Sequence, residues 1–283
     1  MALYQSGRHD PDLQHPHVEV VGTPISNAQL SLLRACEEGD VAGALRAIEG
    51  GADVDGSLQY RRQGGRLCKW TPLTLASFGG RAEVVRVLLV AYADVNTART
   101  DSGATPLYAA CQQSHADIVS MLLAVHADVN VATAHSGTTP LYAACERGHA
   151  DIVSMLLAAN AEINTARISN GWTPLHSACC NNQAEIAVTL LLANADLRRL
   201  DYNGRTALDV AGSEATRAAV RDVWPDRAGS LAALRFVCES TGLVPDVANV
   251  VVYHRYIQRR EEHQGLADEY VRGDYDRDAE DGE

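Results

Sequence analysis

The sequence predicts an all-α solenoid of helix–turn–helix repeats stacked side by side, followed by a helical C-terminal extension. Three observations predict it. The triplet Thr-Pro-Leu begins at Thr71, Thr105, Thr139 and Thr173, 34 residues apart each time. A second marker, Ala-Asp-Val-Asn or a near relative, begins at Ala93, Ala127, Ala161 and Ala195 at the same 34-residue interval. The stretch from Thr105 to Ala124 returns from Thr139 to Ala158 with only Gln112, Gln113 and Ser114 altered, to Glu146, Arg147 and Gly148. Two markers locked to one period of this length mean a repeat array.

Each repeat justifies its elements in order. Thr105 opens a first helix, and Pro106 suits a first helical position, where its missing N–H costs little. Leu107, Ala110 and Cys111 fall on one face at helical spacing. The helix should stop near Ser114, whose counterparts are Gly80, Gly148 and Asn182; Gly and Asn tolerate the left-handed conformation that ends helices. A second helix places Ile118, Val119, Leu122 and Leu123 on its inner face. Its counterparts carry Val84, Val85, Leu88 and Leu89, then Ile152, Val153, Leu156 and Leu157, then Ile186, Ala187, Leu190 and Leu191. Val95, Val129, Ile163 and Leu197 fill the start of the following loop. Gly103, Gly137, Gly171 and Gly204 precede the next Thr by two residues, as a tight turn of positive φ requires. No unit covers its own apolar faces, so neighbours must stack on both sides.

These residues carry a family likeness. The patterns "G-x-TPL-x-x-A", "GHADIVSMLL" and "ADVN" resemble the ankyrin repeat over roughly Asn27 to Trp224. Four repeats match (70–103, 104–137, 138–171, 172–204), with an N-terminal capping repeat before them and a degraded C-terminal one at "GRTALDVAGSEATRAAVRDVW". The resemblance implies an array of about six repeats over 26–224. It also implies protein binding through turn tips ("fingers") and the groove of the first helices, without catalytic machinery. The departures are informative. The period is one residue longer than the family's usual 33, which lengthens each finger. The family's Gly before "ADVN" survives only as Gly51; Tyr92, His126, Asn160 and Asn194 replace it, and a Tyr or His forced into a left-handed position costs ~1 kcal/mol or more. The family's His after Thr-Pro-Leu survives as His176, with Thr74, Tyr108 and Tyr142 elsewhere.

Aligned repeats separate scaffold from candidate binding surface. Positions seven and eight after each Thr, groove positions in the family, are Phe78 and Gly79, Gln112 and Gln113, Glu146 and Arg147, Cys180 and Asn181. They vary while the core letters hold. Trp70 and Trp172 sit at finger bases, either as exposed anchors for a partner or packed on the neighbouring finger; Trp and Arg dominate interface energetics. The first finger is longer than its siblings and reads "GSLQYRRQGGRLCKW", with Arg61, Arg62, Arg66 and Lys69 and no acid after Asp55. It is either a finger for an acidic partner or phosphate or a solvated insertion.

Composition bounds the rest. The chain has 283 residues and a formal net charge of −12. Nucleic acid and anionic membranes call for clustered Lys and Arg, so neither is expected as a partner. No apolar run is long enough to span a bilayer, and the N-terminus lacks the pattern of a signal peptide. A monomer in the cytoplasm or nucleus, binding another protein and holding no cofactor, is the expectation. Cys36, Cys111, Cys145 and Cys179 occupy one repeat position and read as small buried hydrophobes. Cys68 on the basic finger is a candidate reactive thiol. His9, His15 and His17, with Asp10 and Asp12, lie in a Pro-interrupted segment that reads as disorder rather than as a metal site. No phosphate loop, nucleophile elbow or catalytic carboxylate pair occurs.

The ends divide further. Residues 1–25 read as a flexible tail. Residues 225–263 read as two helices that either cap the array or dock a ubiquitin-ligase scaffold, since "LVPDVANVVVYHRYI" resembles the start of an F-box. Residues 264–283, strongly acidic, read as disordered.

Overall fold

The structure, a computed structural model, describes residues 26–56, 58–61, 67–99 and 101–223. The N-terminal segment 1–25 with its histidines, the extension 225–263 with its F-box-like stretch, and the acidic tail 264–283 lie outside the described residues, as does the side chain of Cys68. The chain forms two compact units, residues 1–128 with 132–135 and residues 129–131 with 136–283.

The first unit holds α1 (Asn27–Glu38), α2 (Val41–Glu49), β1 (Leu58–Arg61), β2 (Leu67–Trp70), α3 (Pro72–Phe78), α4 (Ala82–Val90), α5 (Pro106–Gln113) and α6 (Ala116–Ala124). Helices α1, α3 and α5 pack in one row, and α2, α4 and α6 in a second. Between the rows lie Leu32, Cys36, Leu73, Ala76, Val85, Leu88, Leu107, Ala110, Cys111, Ile118 and Leu122, all fully buried. The second unit repeats the plan with α7 (Pro140–Arg147), α8 (Ala150–Ala158), α9 (Pro174–Cys180), α10 (Ala184–Leu192) and α11 (Glu214–Val223). Its core holds Leu141, Tyr142, Ile152, Leu156, Leu175, Cys179, Ala187 and Leu190.

The Thr-Pro-Leu motif does what the repeat needs. In Thr71, Thr105, Thr139 and Thr173 the hydroxyl accepts from the backbone N–H three residues on, and Pro follows as the first helical residue. This satisfies one of the orphan donors at the helix start. The expected left-handed stops are present at Gly80, Ser114, Gly148 and Asn182, and the turn glycines Gly103, Gly137, Gly171 and Gly204 all have positive φ. Tyr92, His126, Asn160 and Asn194 take positive φ as well, between 62° and 74°.

Two expectations need correction, and two others gain detail. The first finger is not a plain loop: β1 and β2 pair antiparallel, Leu58 opposite Trp70 and Arg61 opposite Leu67, so a β-hairpin stands on an otherwise helical array. The sequence allows it in part: Leu-Gln-Tyr-Arg alternates apolar and polar residues, whereas Leu-Cys-Lys-Trp is mostly apolar. Leu89, Leu123, Leu157 and Leu191 are half-buried rather than part of the inner face; the residue before each takes that role. Val95, Val129 and Ile163 are likewise half-buried, and of that set only Leu197 reaches the core. In the last repeat the first helix does not form. Ala207 stands where Pro belongs, Asp209 accepts from the Thr206 backbone and hydroxyl, and the segment makes turns instead.

A further device ties repeats together. The Asn that ends each "ADVN" motif accepts from the backbone of the next repeat: Asp128 N–H to Asn96 (2.9 Å), Glu162 N–H to Asn130 (2.8 Å), Asp196 N–H to Asn164 (2.9 Å). At the front, Asp55 takes the slot and receives the Asp94 N–H at 2.8 Å.

Candidate functional site

In the first unit the variable positions fall at the C-terminal ends of α3 and α5. Gln113 is exposed and Gln112 half-buried, while Phe78 is half-buried and followed by exposed Gly79. Trp70 is the main correction. Its side chain is only 5% exposed, packed edge-on against Phe78 with ring centroids 5.5 Å apart. The Arg99 guanidinium lies 3.6 Å above the ring and pairs with Asp101 at 2.7 Å. A Trp clamped between an aromatic edge and a cation anchors its finger; it is not an exposed hot spot. Arg61 closes β1 and Lys69 lies in β2, across from Gln59. Arg62 and Arg66 lie outside the described residues, so the basic finger is represented by its two strands.

In the second unit Glu146 and Arg147 are both exposed at the end of α7, and Asn181 is exposed at the end of α9. The structure brings two of them together, because the Asn181 amide donates to the Glu146 carbonyl at 3.3 Å. Arg167 from the finger reaches the Glu146 carboxylate at 3.7 Å and lies over the Tyr142 ring. Tyr142 is buried, which raises its phenol pKa against the partial offset of a bond to Arg167. Glu146 is thus tethered by Arg167, whereas Arg147 is exposed and pairs with no carboxylate among the described residues.

Trp172 is half-buried. Its indole N–H donates to Asp201 at 3.1 Å and its ring stacks on His176. His176 completes a capping box with Thr173 and meets the Arg205 carbonyl through Nε2 at 3.1 Å. Nε2 therefore carries the proton and Nδ1 accepts from Thr173. Burial lowers the His176 pKa against the pull of the Arg205 carbonyl and Asp201. At Asp201 burial alone would raise the carboxyl pKa, but the Arg205 backbone and guanidinium, the Trp172 indole and the Asn203 N–H outweigh it and hold the group well below the usual carboxylate range. Sequence reading missed Asp201, Arg99 and Arg167. They share one finger position with Thr133 at 34-residue spacing, and its mixed composition concealed a common role in bracing fingers.

The aligned cysteines are free and buried. Burial pushes the thiols of Cys36 and Cys179 up to about 12, and those of Cys111 and Cys145 also upward. Among the described residues no group of His, Cys, Asp and Glu is placed to hold a metal ion, and no helix is long and apolar enough to cross a membrane.

A family model described as ankyrin repeats (3 copies) matches residues 32–133, 93–167 and 159–221, more than half of the chain. A comparison with curated proteins gave no match.

Proposed function

Because the chain belongs to the ankyrin-repeat family, whose arrays generally serve as protein–protein interaction modules, we propose that it is a non-catalytic adaptor or scaffold that binds a partner protein. The observation that carries this reading is the fate of the variable letters. Where two repeats are otherwise near copies, Gln112 and Gln113 become Glu146 and Arg147, and three of these four are exposed. Packing dictates the letters held constant; Glu146 is bound by Arg167, but no hydrogen bond or ion pair among the described residues accounts for the change from Gln113 to Arg147. In the first unit Gln113 leads the proposed surface with Gln112 and Phe78, and the basic hairpin adds positive charge suited to an acidic partner; in the second unit Arg147 and Asn181 lead it with Glu146.

The test is affinity capture with the full chain against a Gln113→Arg, Arg147→Glu variant of unchanged melting temperature. A protein retained by the parent and lost by the variant supports the reading; identical captures refute it. One observation favours a second reading, substrate receptor of a ubiquitin ligase through 243–263. Helix α11 turns Glu214, Ala215, Ala218, Arg221 and Asp222 to solvent, a polar and small face of the kind that ends a repeat array. The extension is then not needed as a cap. Recovery of a ligase scaffold, lost on deleting 243–263, would establish that role.

A further inference from the structure

The fingers of the second unit carry an apolar ledge with a basic border. Ile168, Leu200 and Tyr202 are 59%, 58% and 70% exposed. Ile168 and Tyr202 are equivalents one repeat apart. Each donates its N–H to the finger before it, Ile168 to the Ser136 carbonyl at 2.8 Å and Tyr202 to the Asn170 carbonyl at 3.0 Å. Each also lies over the preceding turn glycine. A Cβ on Gly137 would meet Ile168 at 2.6 Å, and one on Gly171 would meet the Tyr202 ring at 2.7 Å. These side chains are pinned on one side and open on the other. The finger segments 164–172 and 196–206 hold four Arg and two Asp, and one of those Asp, Asp201, is buried under its own partner Arg205. The other, Asp196, pairs with Arg198 at 3.2 Å; Arg198 and Arg199 are both exposed, and Arg199 has no carboxylate partner among the described residues, in a chain of net charge −12.

We propose that residues 264–283 of the same chain lie across this ledge and cover it. Charge and composition match: from Asp268 to Glu283 the segment has eight acids and two Arg, with Tyr270, Val271 and Tyr275 among them. The acids face Arg198 and Arg199, and the tyrosines cover Ile168 and Leu200. Helix α11 ends at Val223 in the same unit, and the 40 residues 224–263 supply the reach. At ~1.5 Å per residue if helical they span about 60 Å, well beyond the ~13 Å radius of gyration of a unit near this size. The contact would keep the ledge closed until a partner with a stronger acidic segment displaces the tail. It is intramolecular and read without any partner, so its failure leaves the partner-binding reading standing.

The test uses the full chain with 13C-labelled Ile and Leu methyl groups. Asp268, Asp274, Asp276 and Asp278 are replaced by Asn, and in a second variant Arg198→Glu and Arg199→Glu are made. Both should shift the Ile168 and Leu200 methyl resonances, leave Leu30 in place, and mimic the effect of raising salt from low to high in the parent. A peptide of residues 264–283 added to the Asn variant should restore the parent positions, with affinity falling about tenfold or more at high salt. Unmoved Ile168 and Leu200 methyls in the tail variant overturn the proposal, since that change cannot unfold the repeats. Shifts that follow protein concentration in the parent overturn it in favour of a second copy. Shifts confined to residues 58–70 overturn it in favour of the basic hairpin.

Discussion

Replacing Tyr92 by Gly should make the protein more stable. Tyr92 has φ +62°, and the position is locked by the chain around it: its N–H reaches Leu89 at 3.1 Å, and the Ala93 N–H reaches back to Leu88 at 3.0 Å. The ring is 91% exposed, so removing it sacrifices almost no buried area. A left-handed L-residue costs about 1–2 kcal/mol. Gly removes that cost and loses roughly 0.4–1 kcal/mol through a freer unfolded chain. The net gain is about 0.5–1 kcal/mol. For a domain of this size, 1 kcal/mol moves the melting temperature by about 2–4 °C, so a rise of about 1–4 °C is expected. Gly51 already occupies the equivalent position with φ 83° and has open space where a Cβ would sit. Thermal melts followed by helical circular dichroism or calorimetry give the answer, with two controls. Tyr92→Ala should bring no gain, because Ala keeps the backbone cost. Asn160→Gly should bring less, because Asn tolerates this conformation. A lower melting temperature for Tyr92→Gly, or an equal gain for Tyr92→Ala, would refute the strain argument.

Other outcomes follow from the same packing. Gly171→Ala places a Cβ at φ 76° and against the Tyr202 ring, and should lower stability by about 1–2 kcal/mol, read in a urea melt. Arg99→Met should loosen the first finger by removing both the Asp101 ion pair and the cation over Trp70; a red-shifted, more quenchable Trp70 fluorescence, in a Trp172→Phe, Trp224→Phe background, would register it. The His176 pKa lies below its unfolded value of about 6.5. Its contribution to stability is therefore complete above pH ~6.5 and lost as pH falls toward the folded-state value. His176→Gln should flatten that part of the stability profile. Under native conditions at neutral pH a thiol reagent should label half-buried Cys180 before Cys36, Cys111, Cys145 or Cys179; early labelling of the buried four would contradict their raised pKa values and burial.

The period made most of this fold legible before any coordinates. Thr105 and Pro106 announce a helix start by local chemistry, and Ser114, Tyr92 and Gly103 betray their backbone through alignment with Gly or Asn counterparts. Such features repeat, so each is seen several times over. What stayed hidden occurs once. The hairpin at 58–70 has no sibling to compare with, and only its first strand alternates, too briefly to stand apart from a loop. Trp70 is a residue whose size suits both a core and an interface. Its burial depends on Phe78 and Arg99, which arrive from a helix and a different finger. Asp201 shares a repeat position with Arg99 and Arg167, and a charge that inverts between repeats conceals a shared bracing role.

The chain of Asn acceptors also bears on how long such a molecule can be. Asn96, Asn130 and Asn164 each supply what the next repeat lacks, and each repeat in turn offers its own. A tandem duplication of one 34-residue module inside the array would leave every donor answered, and the near-identity of Thr105–Ala124 with Thr139–Ala158 is what such a duplication leaves behind. At the next position of the series stands Arg198, whose side chain offers no acceptor. In respect of these bonds interior modules are interchangeable, so a lineage can gain or lose binding surface in whole modules.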